Sequence, residues 1–169
     1  VQRYRMSDEE IVEAVREAVE IHGFKALVLQ SGEELGGKVE GLIEVIKEIK
    51  RRFALLLFVS VGEVGRSGLE QLYEAGARGL LMRFETSNPE LYAQLHGGDR
   101  LEDRLADLRA AYDLGYLVVT GGLIGLPGQT EEDLLNDILL TKELKAEMYS
   151  FGPVLPNGPK TETVLKVLA

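Results

Sequence analysis

Short apolar runs alternate with amphipathic stretches from one end of the chain to the other, and this alternation restricts the available folds more than any other feature. Ala26-Leu27-Val28-Leu29-Gln30 is a strand-like run that ends in the loop residues Ser31-Gly32-Glu33. Residues 54–61 are almost unbroken apolar, the pattern of a strand buried on both faces of a parallel sheet. Further strands are predicted over 79–86, 116–126 and 148–155. Helical patterns lie between them. Ser7-Asp8-Glu9-Glu10 is a capping box, opening a helix whose Ile11, Val12, Val15, Ala18 and Val19 share one face and which closes near Gly23. Helices are also predicted over about 38–52, 68–75, from Asn88-Pro89, over 101–114 and over 130–144. The last opens on Thr130 with Glu131, Glu132 and Asp133 at the positive end of its dipole.

Five strands separated by helices require parallel pairing through right-handed crossovers. A doubly wound open sheet and part of a (β/α) barrel both meet that requirement. The first strand–loop–helix turn has no Gly-x-Gly-x-x-Gly, and no Walker motif occurs. Polar residues end several strands instead: Gln30 to Glu33, Ser60 to Glu63, Arg83 to Thr86, and Thr120 to Gly122. Barrel enzymes gather their active sites at that carboxyl rim. The expectation is therefore an α/β partial barrel of about five parallel strands with outer helices, one domain over residues 1–169. Residues 2–6 form a basic lead-in with no obvious partner, and residues 161–169 begin an amphipathic helix that stops after about two turns. Both ends therefore read as cut. A barrel wall without its first strand leaves an unpaired parallel edge, a route to self-association.

With 28 acidic against 19 basic side chains the net charge is −9, which disfavours a nucleic-acid-binding face. There is no apolar run of ~18 residues for a membrane helix. No signal-peptide pattern occurs, so a cytoplasmic location is expected, with a small molecule rather than a nucleic acid or membrane as partner. The sequence contains no cysteine, so these residues offer no disulfide, thiolate metal site or cysteine-held iron–sulfur cluster. His22 and His96 are too few and too far apart for a histidine metal site, and no metal ligand is assigned.

Glu33, Glu63 and Glu85 each fall at or just after a strand end, where they could meet an ammonium group or a cation, or simply be solvated loop acids. Arg83 and Glu85 share one face of their strand. Arg104, early in its helix, can grip a ligand carboxylate with its planar fork, or pair with Glu102, Asp103 or Asp107. The stretch Gly121-Gly122-Leu123-Ile124-Gly125-Leu126-Pro127-Gly128 admits close backbone approach by a ligand or by another segment of chain.

In order and spacing, several segments resemble the radical S-adenosylmethionine (SAM) superfamily, most closely the subgroup of the [FeFe]-hydrogenase maturation protein, methylornithine synthase and biotin synthase. These segments are Arg3-Tyr4-Arg5-Met6-Ser7, Val28-Leu29-Gln30-Ser31-Gly32-Glu33, Arg83-Phe84-Glu85-Thr86-Ser87-Asn88-Pro89, Glu102-Asp103-Arg104-Leu105, and Gly122 to Thr130. The resemblance implies a radical SAM-type barrel with SAM bound at its carboxyl rim. It implies that Ser31, Gly32 and Glu33 contact the methionine amino group, that Glu85 helps hold SAM, and that Arg104 binds the methionine carboxylate. It also implies that the backbone at Gly122, Ile124 and Gly125 packs on the adenine. The family's [4Fe–4S] cluster is held by Cys-x3-Cys-x2-Cys, which is absent from this sequence, so the cluster is expected only in an intact parent. Such a parent would generate a 5′-deoxyadenosyl radical, with hydrogenase H-cluster maturation as the implied process, and this chain alone would be redox-inactive. The alternative is a non-catalytic module that binds a SAM-like ligand or acts as a scaffold.

Overall fold

The computed structural model describes residues 5–31 and 39–154. Its elements follow in the order α1 (Asp8–Glu20), β1 (Ala26–Gln30), α2 (Glu40–Arg52), β2 (Leu56–Ser60), α3 (Gly65–Ala75), β3 (Gly79–Leu81), α4 (Pro89–Leu95), α5 (Leu101–Leu114), β4 (Leu117–Thr120), β5 (Leu123–Ile124), α6 (Glu131–Glu143), β6 (Met148–Tyr149) and β7 (Gly152–Pro153). Local chemistry sets the helix starts. Ser7 accepts the Glu10 N–H while Glu10 reaches back to the Ser7 N–H, and Thr130 and Asp133 do the same for α6. Asn88 caps α4, with Pro89 in its first turn.

β1, β2, β3, β4 and β6 lie side by side in that order, and every pair is parallel. Each new strand joins the same side of the one before it, so the winding never reverses. That order is an arc of barrel wall and removes the doubly wound alternative. β5 and β7 form a separate parallel pair above the ends of β4 and β6.

One face of the sheet is covered by helices and the other is open among the described residues. Leu57, Val59, Leu80 and Val118 point toward the helices and pack with Ile46, Ile49, Leu69, Leu72 and Leu108, all buried. Each such side chain contributes about 1.5–3 kcal/mol. On the opposite face Val28 is 45% and Met148 60% exposed. β2 therefore alternates between buried and half-buried positions, where its unbroken apolar sequence predicted burial on both faces. Gly79 has a packing reason: a Cβ there would lie 1.9 Å from a Phe58 ring carbon, so the ring of Phe58 occupies that space.

Three predicted strands are interrupted. The run over 79–86 is ladder-paired only to Leu81, then makes one isolated parallel bridge at Glu85. The run over 116–126 divides into β4 and β5 at Gly121-Gly122, and 148–155 divides into β6 and β7 at Ser150-Phe151, with Leu155 outside the described residues. α3 begins at Gly65, a turn earlier than predicted, and no described helix is long and apolar enough to cross a membrane.

Candidate functional site

Arg104 stands one turn into α5 and is 2% exposed. Its Nε lies 3.0 Å from Tyr92 Oη and 3.1 Å from Glu63 Oε1, and the Tyr92 hydroxyl donates to the same Glu63 oxygen at 3.2 Å. Burial pushes the Tyr92 phenol up to about 12, so it stays a neutral donor between the two charges. His96 stacks on the Tyr92 ring at 4.4 Å between centroids. One turn further along α5, Asp107 accepts the N–H groups of Val64 and Gly65 at 3.0 and 2.9 Å. α5 therefore grips the loop after β2 twice, through its cation at Glu63 and through its anion at the start of α3. Among the described residues Arg104 meets Glu63 and Tyr92 rather than the nearer helix acids Glu102, Asp103 and Asp107.

Glu85 takes a left-handed conformation, φ 70°, uncommon for a residue with a side chain. It holds that conformation while bonded on both sides of its peptide unit. Its N–H donates to Gly121 O at 3.2 Å and its carbonyl accepts from Leu123 N–H at 2.7 Å. Its carboxylate lies 3.8 Å from Arg83 Nε, so the two predicted same-face residues do meet.

The glycine stretch is mainly shaped by chain packing. A Cβ on Gly121 would sit 2.2 Å from Ser150 O, and one on Gly122 would sit 2.9 Å from Glu85 O. Gly125 differs: its φ is 87° and nothing lies within 4 Å of where a Cβ would be. Gln129 fastens this turn. Its Oε1 accepts from Gly125 and Leu126 N–H at 2.8 and 3.2 Å, and its Nε2 donates to Leu123 O at 2.8 Å.

Among the sequence candidates, the structure brings Glu85 and Gly122 together as bridge partners, with Ile124 on the strand that follows and Gly125 in the turn just beyond it. Ser31 continues the β1–β2 ladder by donating to Ser60 O at 3.0 Å and is exposed at the rim. Gly32 and Glu33 lie outside the described residues. Sequence patterns alone do not single out Tyr92, Gln129 or Asp137 as site residues. Tyr92 looks like any helical core aromatic, and Asp133, Asp137 and Thr141, which recur every four residues, read in the sequence as an ordinary solvated helix face. Among the described residues no group of three or more His, Cys, Asp or Glu side chains could hold a metal ion.

Comparison with known proteins gives this geometry a family. The [FeFe] hydrogenase maturase subunit HydE of Thermotoga maritima is 41% identical over 157 residues, 93% of this chain and 44% of that protein. The 3-methylornithine synthase of Methanosarcina acetivorans is 29% identical over 136 residues, 79% of this chain and 39% of that one. The chain thus spans less than half the length of the curated relatives it matches. The crystal structure of methylornithine synthase superposes with a TM-score of 0.84 at 26% identity, covering 92% of this chain and 46% of that one. The [FeFe]-hydrogenase maturase HydG superposes with a TM-score of 0.75 at 20% identity, a likeness of fold. The superfamily model itself matches residues 1–140, from the lead-in through the Glu85 rim, Arg104, the glycine stretch and most of α6, and the chain belongs to the radical SAM superfamily.

Proposed function

We propose that this chain is the SAM-binding core of a radical SAM enzyme. The observation that carries this reading is the bridge between Glu85 and Gly122, which joins a rim carboxylate to a glycine-bearing backbone segment. In this reading Ser31, Gly32, Glu33 and Glu85 face the ammonium of SAM, Arg104 takes its carboxylate, and the backbone from Gly122 to Gly125 packs on the adenine. The charges are complementary, acids toward a cation and a guanidinium toward an acid. The open space beside Gly125 lets a flat ring approach the backbone there. Arg104 is nearly covered, so a ligand carboxylate reaches it by exchanging with a carboxylate already in place, and Glu63 is such a group.

The residues of this chain do not fit the family's [4Fe–4S] cluster, because the sequence has no cysteine. We assign the cluster's ligands to a part of an intact protein outside this sequence. There the cluster would supply the electron that cleaves SAM to methionine and a 5′-deoxyadenosyl radical. The relationship to HydE makes [FeFe]-hydrogenase maturation, acting on a small molecule, the process we assign to that intact protein.

Titration of SAM into the chain, followed by calorimetry, tests the binding reading. Saturable one-to-one binding that is lost in Glu85→Ala is the expected result. No heat change and no SAM-dependent rise in melting temperature would overturn it. A second reading, a scaffold that pairs with another copy, is favoured by the edges: among the described residues β1 pairs only with β2, and β6 only with β4.

A further inference from the structure

α6 turns a polar stripe inward where a helix on a sheet ordinarily presents apolar side chains. Asp137 and Thr141 are completely buried, while Leu135, Ile138 and Leu139 on the same helix are more than half exposed. Asp137 has two separate attachments. Its Oδ1 accepts the backbone N–H of Ser87 at 2.5 Å, two residues beyond Glu85. Its Oδ2 accepts from Gln129 Nε2 at 3.3 Å, the same amide that donates to Leu123 O, while the amide's oxygen holds the Gly125 and Leu126 N–H groups. A Cβ on Gly122 would come within 3.3 Å of that same Oδ2. One turn earlier, Asp133 Oδ1 accepts from Asn88 Nδ2 at 2.9 Å, so the helix holds the segment after β3 at two points.

A buried carboxylate is disfavoured unless its hydrogen bonds are made, and burial raises the pKa of Asp137 against the lowering effect of the Ser87 contact. Apolar packing would hold α6 against the sheet at less cost. What an apolar side chain cannot do is join two loops through two oxygens fixed in one plane.

We propose that Asp137 is a positioning residue that, through Ser87 and Gln129, ties the Ser87 segment to the Gly125–Leu126 turn on either side of the Glu85–Gly122 bridge and so fixes the shape of the rim we assign to SAM. Its consequence for ligand binding rests on the SAM-binding reading; its coupling of the two loops does not.

Amide hydrogen exchange on the ligand-free chain, paired with SAM titration, separates these. Asp137→Asn puts an NH2 group against either the Ser87 N–H or the Gln129 NH2, two donors face to face. Exchange at Ser87, Gly125 and Leu126 should quicken about tenfold, the effect of losing roughly one buried hydrogen bond. Amides of β1 and β2 should change little. Gln129→Ala, a milder change should Asp137→Asn fail to fold, should quicken Ser87 exchange although the two residues do not touch. SAM affinity should fall about tenfold in Asp137→Asn. Uniform acceleration over the whole sheet, or an effect confined to one loop, overturns the proposal. If the unaltered chain does not bind SAM, the binding reading fails, and the exchange pattern still decides whether Asp137 couples the loops.

Discussion

Two single residues combine constraints that ordinarily conflict. Glu85 bears a side chain where the backbone favours glycine, so Glu85→Gly should be more stable than Glu85→Ala by about 1 kcal/mol while both lose SAM binding. Urea unfolding of the two variants checks the first half of that statement, and equal midpoints would show that no backbone strain is held there. Glu63 sits against a nearly buried cation. Glu63→Gln should lower stability by about 1–2 kcal/mol, more than removing an exposed pair such as Arg16 with Glu13. The same substitution should tighten SAM binding several-fold, because a carboxylate competing for Arg104 is gone. Weaker binding would mean that Glu63 orients Arg104 rather than competes for it. The types and order of Glu85, Arg104 and the glycines were legible in the sequence. Their partners were not: a chain with 28 acids gives Arg104 many candidates, and Glu102, Asp103 and Asp107 lie within a turn of it in sequence, far nearer than Glu63.

Elements were most legible where their ends depend on neighbours a few residues away. The Ser7 capping box forms as the sequence predicts, and Thr130, expected as a cap, forms a second one with Asp133, because the hydroxyl, the N–H and the returning carboxylate all belong to one turn. Strand ends were less legible, since pairing stops when the partner strand departs; 79–86 breaks at Leu81 although its apolar pattern continues. β3 also carries a packing constraint. Gly79→Ala should cost about 2 kcal/mol or more by forcing the Phe58 ring aside, and Phe58→Leu in the same chain should recover much of that loss. Additive losses in the double variant would exclude the clash as the cause. α2 supplies a pH test. Hydrogen bonds from Arg51 and then Arg52 hold Glu48 at about 2, well below its ordinary 4.5. Because the folded value is the lower one, this stabilisation is complete above pH 4.5 and disappears as the pH falls toward 2. Urea midpoints of the unaltered chain and Glu48→Gln should therefore differ at neutral pH and converge in acid. A constant difference would show that the ion pair does not contribute.

At the scale of the molecule, a five-stranded arc with helices outside leaves an inner face and two strand edges that the described residues do not cover. Sedimentation equilibrium should show association that increases with concentration and is weakened by Val28→Lys, which places a charge on the inner face of the edge strand. A single monomer mass at every concentration would remove the scaffold reading and leave the SAM-binding one. Periodicity, caps and turn residues by themselves determined the helices, the parallel pairing and the class of fold, because each operates over a few residues or follows from the alternation of elements. Only the tertiary structure decided that the strands run in unreversed order, that Asp107 caps α3 from 43 residues away, and that Asp137 joins α6 to a loop 50 residues back. Those contacts depend on how far each helix slides against the sheet, a balance of packing over many side chains that no short window of sequence contains.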